Sequence, residues 1–269
     1  MTIPVIRGRL PETWEKEFKE FQHYDSGRAD EEAIKLTGDV EEPWLEIIRT
    51  HEPSMFPATE RLLADAGLMA RIKGSVIDVG AGTCFLTGKL SQLPAVEHVY
   101  AIDLSETFLK TIGTRILKHV GALTEKITFV ATDFNHIPLL AASADTAFIF
   151  AAIHHSLSPI KTLQEVGRVV KPGGTIIIME NPKAVTKIRS ARRESLALST
   201  ETTEICYTIG EFEYLIACAN IGPCEVIRWD VLSRPGPRRW IRTVVRALGL
   251  EHVILNPPNY LFVISRKGD

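Results

Sequence analysis

The chain has 269 residues, 45% of them hydrophobic and 24% charged, and its 31 Lys and Arg against 33 Asp and Glu leave a formal charge of −2. This profile describes a soluble globular protein with ample core for one large α/β domain plus an accessory piece, and argues against a general polyanion binder. Four cysteines, Cys84, Cys206, Cys218 and Cys224, form no C-x-x-C pair and have no His at zinc-finger spacing, so neither a disulfide framework nor a structural zinc site is suggested. The opening MTIPVIRGRLPETWEKEF has neither a basic leader nor a long apolar stretch, and no run of about 18 apolar residues follows, so a cytosolic protein outside the membrane is expected.

Residues 1–65 are acidic, with 8 basic and 15 acidic side chains. Trp14, Phe18 and Phe21, then Trp44, Ile47 and Ile48, recur at helical spacing, and a helical cap or lid region is expected over residues 1–70. From residue 71 the texture changes to short apolar runs separated by helical patterns. VIDVG (76–80), HVYAID (98–103), ITFVATD (127–133), TAFIFAA (146–152) and TIIIME (175–180) predict five strands spaced as βαβ units, with a parallel sheet buried on both faces. Ligands of such sheets bind at the carboxyl ends of the strands. A helix over 211–220, a strand over 224–230 and a closing strand over 259–267 follow, and the last two are expected to pair antiparallel at the sheet edge. Insertions are predicted over about 181–208 and 231–258.

The strongest chemical signal is VIDVGAGTCFLT (76–87), a strand carrying Asp78 that runs into a Gly80, Ala81, Gly82 turn opening a helix. Glycines there let the backbone turn sharply and lie bare against a ligand. The next strand ends in Asp103, 21 residues beyond Gly82, where a carboxylate accepts from ribose hydroxyls. A nicotinamide dinucleotide site calls for G-x-G-x-x-G, whereas Phe85 stands at the third glycine. Asp78 also suits an amino group and a sulfonium charge better than a pyrophosphate, so the turn favours S-adenosylmethionine.

At this point the chain resembles class I S-adenosylmethionine-dependent methyltransferases of the small-molecule, type 11-like group. The likeness rests on DVGAGT (78–83), AIDLS (101–105), TDFNHIP (132–138), the strand leading to His154 and His155, and EVGRVVKPGG (165–174). It implies a Rossmann-like doubly wound sheet of seven strands whose last strand is antiparallel. It also implies a cofactor turn of Gly80, Ala81 and Gly82, with Asp78 near the methionine amino group. Asp103 would bind the ribose, Asp133 the adenine amino group, and Phe134 would flank the adenine, with Leu104 and Ala151 as further cofactor-binding residues. Cys84 departs from the group where many members carry a third glycine.

Methyl transfer from a sulfonium requires in-line alignment and, for a hydroxyl or protonated amine, a base. His154 and His155 follow the fourth predicted strand and are the candidate bases, with Glu180 able to orient a substrate or a histidine; no metal is expected. On an extended chain the two imidazoles would diverge, so one of them would face the substrate. Tyr24 and Tyr207 lie in segments that could close over the site. Arg234, Arg238, Arg239, Arg242 and Arg246 fall on an amphipathic helical pattern, readable as a solvated face or as a surface for an anionic acceptor or membrane. A second basic run holds Lys183, Lys187, Arg189, Arg192 and Arg193. The Y-T-x-x-E run beginning at Tyr207 is similar to methyltransferases of polysaccharide synthesis. The expected reaction is therefore O-methylation of a small molecule: a sugar, glycolipid or natural product. Nucleic acid is not an expected partner, because AAIHH (151–155) lacks the N-P-P-Y type of motif. The rival readings are a non-catalytic protein binding S-adenosylmethionine or its demethylated product, and an NAD-dependent oxidoreductase.

Overall fold

The computed structural model describes residues 2–8, 60–61, 63–64, 66–156, 158–180, 207–229 and 259–268. The strands are β1 (Val5–Arg7), β2 (Gly74–Val79), β3 (Val96–Asp103), β4 (Ile127–Ala131), β5 (Ala144–Phe150), β6 (Val170–Glu180), β7 (Cys224–Trp229) and β8 (Asn259–Ser265). They form one sheet in the order β1-β4-β3-β2-β5-β6-β8-β7. Pairings from β1 through β6 are parallel, and β8 runs antiparallel to both β6 and β7. The order reverses direction at β2, which places the crevice of a doubly wound sheet at the carboxyl ends of β2 and β5.

Four helices matter for the site: α1 (Phe85–Ser91), the composite α2, α3 (Pro159–Val169) and α4 (Ile209–Ala219). Helix α2 is built from Glu106–Phe108, one π turn at Leu109–Gly113, and Thr114–His119. Side chains alternate across each strand, so Val76, Val99, Ala101, Phe129 and Ile177 pack with Leu90, Leu109 and Leu117 on one face. Ile77, Val79, Ile102, Ile149 and Ile178 pack with Leu163, Val166, Phe212 and Ile216 of α3 and α4 on the other. The β-branched runs seen in the sequence are thus strands buried on both faces.

The sheet has eight strands where seven were expected. The additional one, β1, lies within the segment read as a helical cap, and it pairs in register with β4 as Val5 with Phe129, Ile6 with Val130 and Arg7 with Ala131. Pro4 precedes the strand and contributes only its carbonyl, which accepts from Phe129 N at 3.0 Å; proline is tolerated at a strand start for that reason. Residues 9–59, which carry the rest of the expected cap and Tyr24, lie outside the described residues, as do residues 181–206 and 230–258 with both basic segments.

The Y-T-x-x-E run has a local structural cause. Thr208 is the N-cap of α4: its hydroxyl accepts from Glu211 N at 3.3 Å, while the Glu211 carboxylate accepts from Thr208 N at 2.6 Å. This reciprocal capping box needs Thr and Glu at that spacing whatever the acceptor is. Tyr207 packs edge-on against Phe212, with ring centroids 5.3 Å apart, and serves the core beside α4.

Candidate functional site

Three neighbouring parallel strands each carry a carboxylate at or just beyond the carboxyl end: Asp78 in β2, Asp103 in β3 and Asp133 after β4. Asp78 sits within β2, is 1% exposed, and accepts from Thr87 Oγ1 of α1 at 2.6 Å. Alternation places Asp78 on the α1 side of the sheet, between Ile77 and Val79 of the opposite core. Burial drives its carboxyl up to about 6; the Thr87 hydrogen bond offsets part of that rise, and the nearby charge of Asp103 adds to it.

The turn after β2 is shaped by steric limits. Gly80 has φ +78°, and a Cβ there would lie 2.2 Å from Ala152 Cβ, so only glycine lets the β2 turn touch the chain leaving β5. Its N–H and that of Ala81 both donate to Ile102 O at 2.9 Å, tying the turn to β3. Gly82 differs: at φ +49° a Cβ would meet nothing closer than Gly80 O at 4.0 Å, so the space above it stands open. Gly82 N donates to Asp103 Oδ2 at 2.8 Å, and Ser105 N donates to Asp103 Oδ1 at 3.3 Å. These bonds set the Asp103 carboxylate at the mouth of the turn, with Leu104 next to it.

Cys84 occupies the left-handed region at φ 60°, the conformation a glycine adopts at no cost. It is buried, and its sulfur fills the space opposite Gly113, where a Cβ would come within 2.9 Å of Sγ. Burial, with Asp78 and Asp103 nearby, pushes the thiol well above its usual range, which makes Cys84 a packing group and a poor nucleophile.

After β4, Asp133 is 2% exposed; its Oδ1 accepts from Asn135 N at 2.5 Å and its Oδ2 lies 3.3 Å from His136 Nδ1. The Phe134 ring reaches over the β2 turn, with Cζ 3.5 Å from the position of a Cβ on Gly80. A clamp that sequence reasoning missed holds this loop. Arg168 donates to the carbonyls of Leu139 and Ile137 at 2.9 and 2.8 Å, and binds both carboxylate oxygens of Glu165. Glu165 in turn accepts from Ile137 N at 2.9 Å. Burial raises the Glu165 carboxyl, but the Arg168 hydrogen bonds and charge outweigh this and hold it below the usual range. The E-x-x-R spacing inside EVGRVVKPGG was the available signal, since residues three apart share a helix face.

The chain leaving β5 turns at Ala151, φ 49°, whose N–H donates to Met179 O at 2.8 Å. Ile153–His155 then form a 3-10 turn. The two imidazoles do not diverge as on an extended chain: their centroids are 4.2 Å apart at an interplanar angle of 43°. His154 is 7% exposed, and its Nδ1 lies 2.9 Å from Oε2 of Glu180, itself 2% exposed at the end of β6. The other Glu180 oxygen accepts from Ile153 N at 2.8 Å. A buried chain from Asn135 Oδ1 through Thr162 Oγ1 to Ser156 Oγ, at 3.1 and 2.7 Å, links the loops after β4 and β5. The structure therefore gathers Asp78, Gly80, Ala81, Gly82, Asp103, Leu104, Asp133, Phe134, Ala151, His154, His155 and Glu180 at the carboxyl ends of β2 through β6. No group of three or more metal-ligating side chains occurs among the described residues.

Residues 77–178 match the family model described as "Methyltransferase domain". An uncharacterized chloroplastic methyltransferase of Arabidopsis thaliana is 27% identical over 168 residues, covering 57% of this chain and 47% of that protein. A ubiquinone/menaquinone biosynthesis C-methyltransferase of Syntrophotalea carbinolica is 29% identical over 120 residues, covering 45% of this chain and 49% of that protein. The chain thus spans about half the length of these relatives. In fold, it matches a structure of the complex between the Haloferax volcanii Trm112 methyltransferase activator and a methyltransferase, with TM-score 0.61, 16% identity, and 93% and 98% of the two chains covered. The sequence match places a methyltransferase domain over residues 77–178, and the structural likeness, at 16% identity, is one of fold. This chain carries that domain in the sheet and helices around β2 to β6, and the match ends two residues short of Glu180.

Proposed function

We propose that the protein is an S-adenosylmethionine-dependent methyltransferase that methylates a hydroxyl group of a small molecule. The observation that carries the cofactor assignment is the row of carboxylates on β2, β3 and after β4 around an open glycine turn. Asp78, Asp103 and Asp133 offer acceptors and negative charge to a ligand bearing an ammonium, a ribose diol and an exocyclic amine, and would repel a pyrophosphate. When bound, S-adenosylmethionine supplies a methyl group already activated by its sulfonium.

The chain's own residues then have positional tasks. The Gly80–Gly82 turn and Asp103 seat the nucleoside, Asp133 and Phe134 bracket its base, and Asp78 compensates the ammonium. His154, on the turn packed against Gly80 through Ala152, takes the acceptor's proton. His155 packs on His154 and shapes the turn. The acceptor is a small molecule carrying a hydroxyl. Since Y-T-x-x-E is a helix cap, it lends no support to a sugar in particular. The Syntrophotalea relative is named as a C-methyltransferase, and an ionisable phenol or quinol would require the same base for carbon or oxygen methylation.

Isothermal titration with S-adenosylmethionine, S-adenosylhomocysteine and NAD in parallel tests the cofactor. Selective binding of the two sulfur ligands supports the reading, while NAD alone binding overturns it. Asp103→Ala should weaken S-adenosylhomocysteine by about 1–3 kcal/mol through lost charged hydrogen bonds, and unchanged affinity would dismiss the ribose assignment. Methyl transfer to a panel of phenols, quinols, sugars and amines then separates a catalyst from a binding protein, and product NMR separates O- from C-methylation.

A further inference from the structure

Both oxygens of Glu180 are committed to a single turn. Oε1 accepts from Ile153 N at 2.8 Å and Oε2 meets His154 Nδ1 at 2.9 Å, with both side chains nearly shut off from water. The carboxylate stands on a rigid base, because Met179 is in register with Phe150 and its carbonyl accepts from Ala151 N, which carries the β5–β6 pairing past the strand end.

A carboxylate only accepts. Nδ1 of His154 must therefore donate, and the lone pair of the neutral ring falls on Nε2. We propose that Glu180 is a positioning residue that fixes His154 in the Nδ1–H tautomer and thereby makes Nε2 the proton acceptor for a hydroxyl substrate. This rests on the methyltransferase reading above for its chemistry, though the tautomer itself does not. As the oxygen–methyl bond forms, the methyl–sulfur electron pair stays on sulfur and the hydroxyl proton passes to Nε2. The resulting imidazolium then faces the buried Glu180 carboxylate, and water takes the proton after products leave. The arrangement suits an acceptor that must lose a proton; a thioether or tertiary amine would gain nothing from it.

The competing role for Glu180 is to anchor the turn through Ile153 N alone. Glu180→Gln separates the two, because glutamine has one acceptor oxygen and cannot serve both Ile153 N and His154 Nδ1. Long-range 1H–15N NMR on the labelled full chain, without cofactor, reads the tautomer, with the His154 signals assigned by their loss in His154→Gln. The wild type should show Nδ1 protonated and Nε2 bare at pH 7.5. Glu180→Gln should move a substantial fraction to the Nε2–H form, with unchanged far-UV circular dichroism as the fold control. For a hydroxyl acceptor from the panel, kcat should drop about 10²-fold in Glu180→Gln with KM nearly constant. A wild-type ring protonated at Nε2 overturns the proposal without any variant, as does a Glu180→Gln ring with the wild-type tautomer or with undiminished kcat. Absence of S-adenosylhomocysteine binding would instead strike the methyltransferase reading and leave the tautomer result standing.

Discussion

Replacing Asp78 with asparagine should strengthen the empty protein and weaken its ligand binding. Its carboxyl titrates at about 6 in the fold against an ordinary value of 3.8, because burial in the α1 face of the sheet outweighs the Thr87 hydrogen bond. The folded protein therefore holds this proton to higher pH than the unfolded chain does. The stabilising contribution is complete below pH 4 and is lost as pH rises through about 6, a difference of at most about 3 kcal/mol. Asp78→Asn keeps an oxygen for Thr87 and removes the buried charge, so its thermal midpoint should exceed wild type at pH 7.5 but not at pH 4. An ammonium beside Asp78 favours the ionised form. Wild type should then bind S-adenosylhomocysteine about tenfold more weakly at pH 5 than at pH 8, releasing about half a proton at pH 6. Titration calorimetry in buffers of different ionisation enthalpy measures that release. Equal affinity at both pH values, or the same pH dependence persisting in Asp78→Asn, would refute the placement of an ammonium at Asp78.

Gly80→Ala should destabilise the protein by more than about 2 kcal/mol, since the new Cβ combines a positive φ with a 2.2 Å collision against Ala152; urea unfolding would show it. Arg168→Ala should cost about 1–2 kcal/mol, because it strips partners from Ile137 O, Leu139 O and Glu165, and amide hydrogen exchange should rise across residues 133–139. Iodoacetamide at pH 8 should label exposed Cys218 in the native protein and spare buried Cys84, whose thiol is pushed well up by burial; mass spectrometry of the digest would reverse that assignment if Cys84 reacted first.

Sequence alone determined what is encoded in contiguous residues. Val76 to Gly80, His98 to Asp103 and the later apolar runs read as strands because β-branched residues buried on both faces leave a continuous apolar signature. The glycine turn and the carboxylates ending the strands were legible for the same reason, as local turn chemistry at fixed spacing. The tertiary structure decided what depends on residues distant in the chain. Val5–Arg7 is only three residues of apolar pattern, and its place in the sheet comes from pairing with β4, more than 120 residues away. Cys84 takes a glycine conformation because Gly113 leaves room for its sulfur across a π turn that no periodicity announces. For Glu180 the sequence left a substrate or a histidine as the partner, and the parallel pairing of β5 and β6 decided it by bringing the carboxylate within 2.9 Å of His154, 26 positions away. Periodicity fixes which face a residue lies on, whereas only packing fixes which partner it meets there.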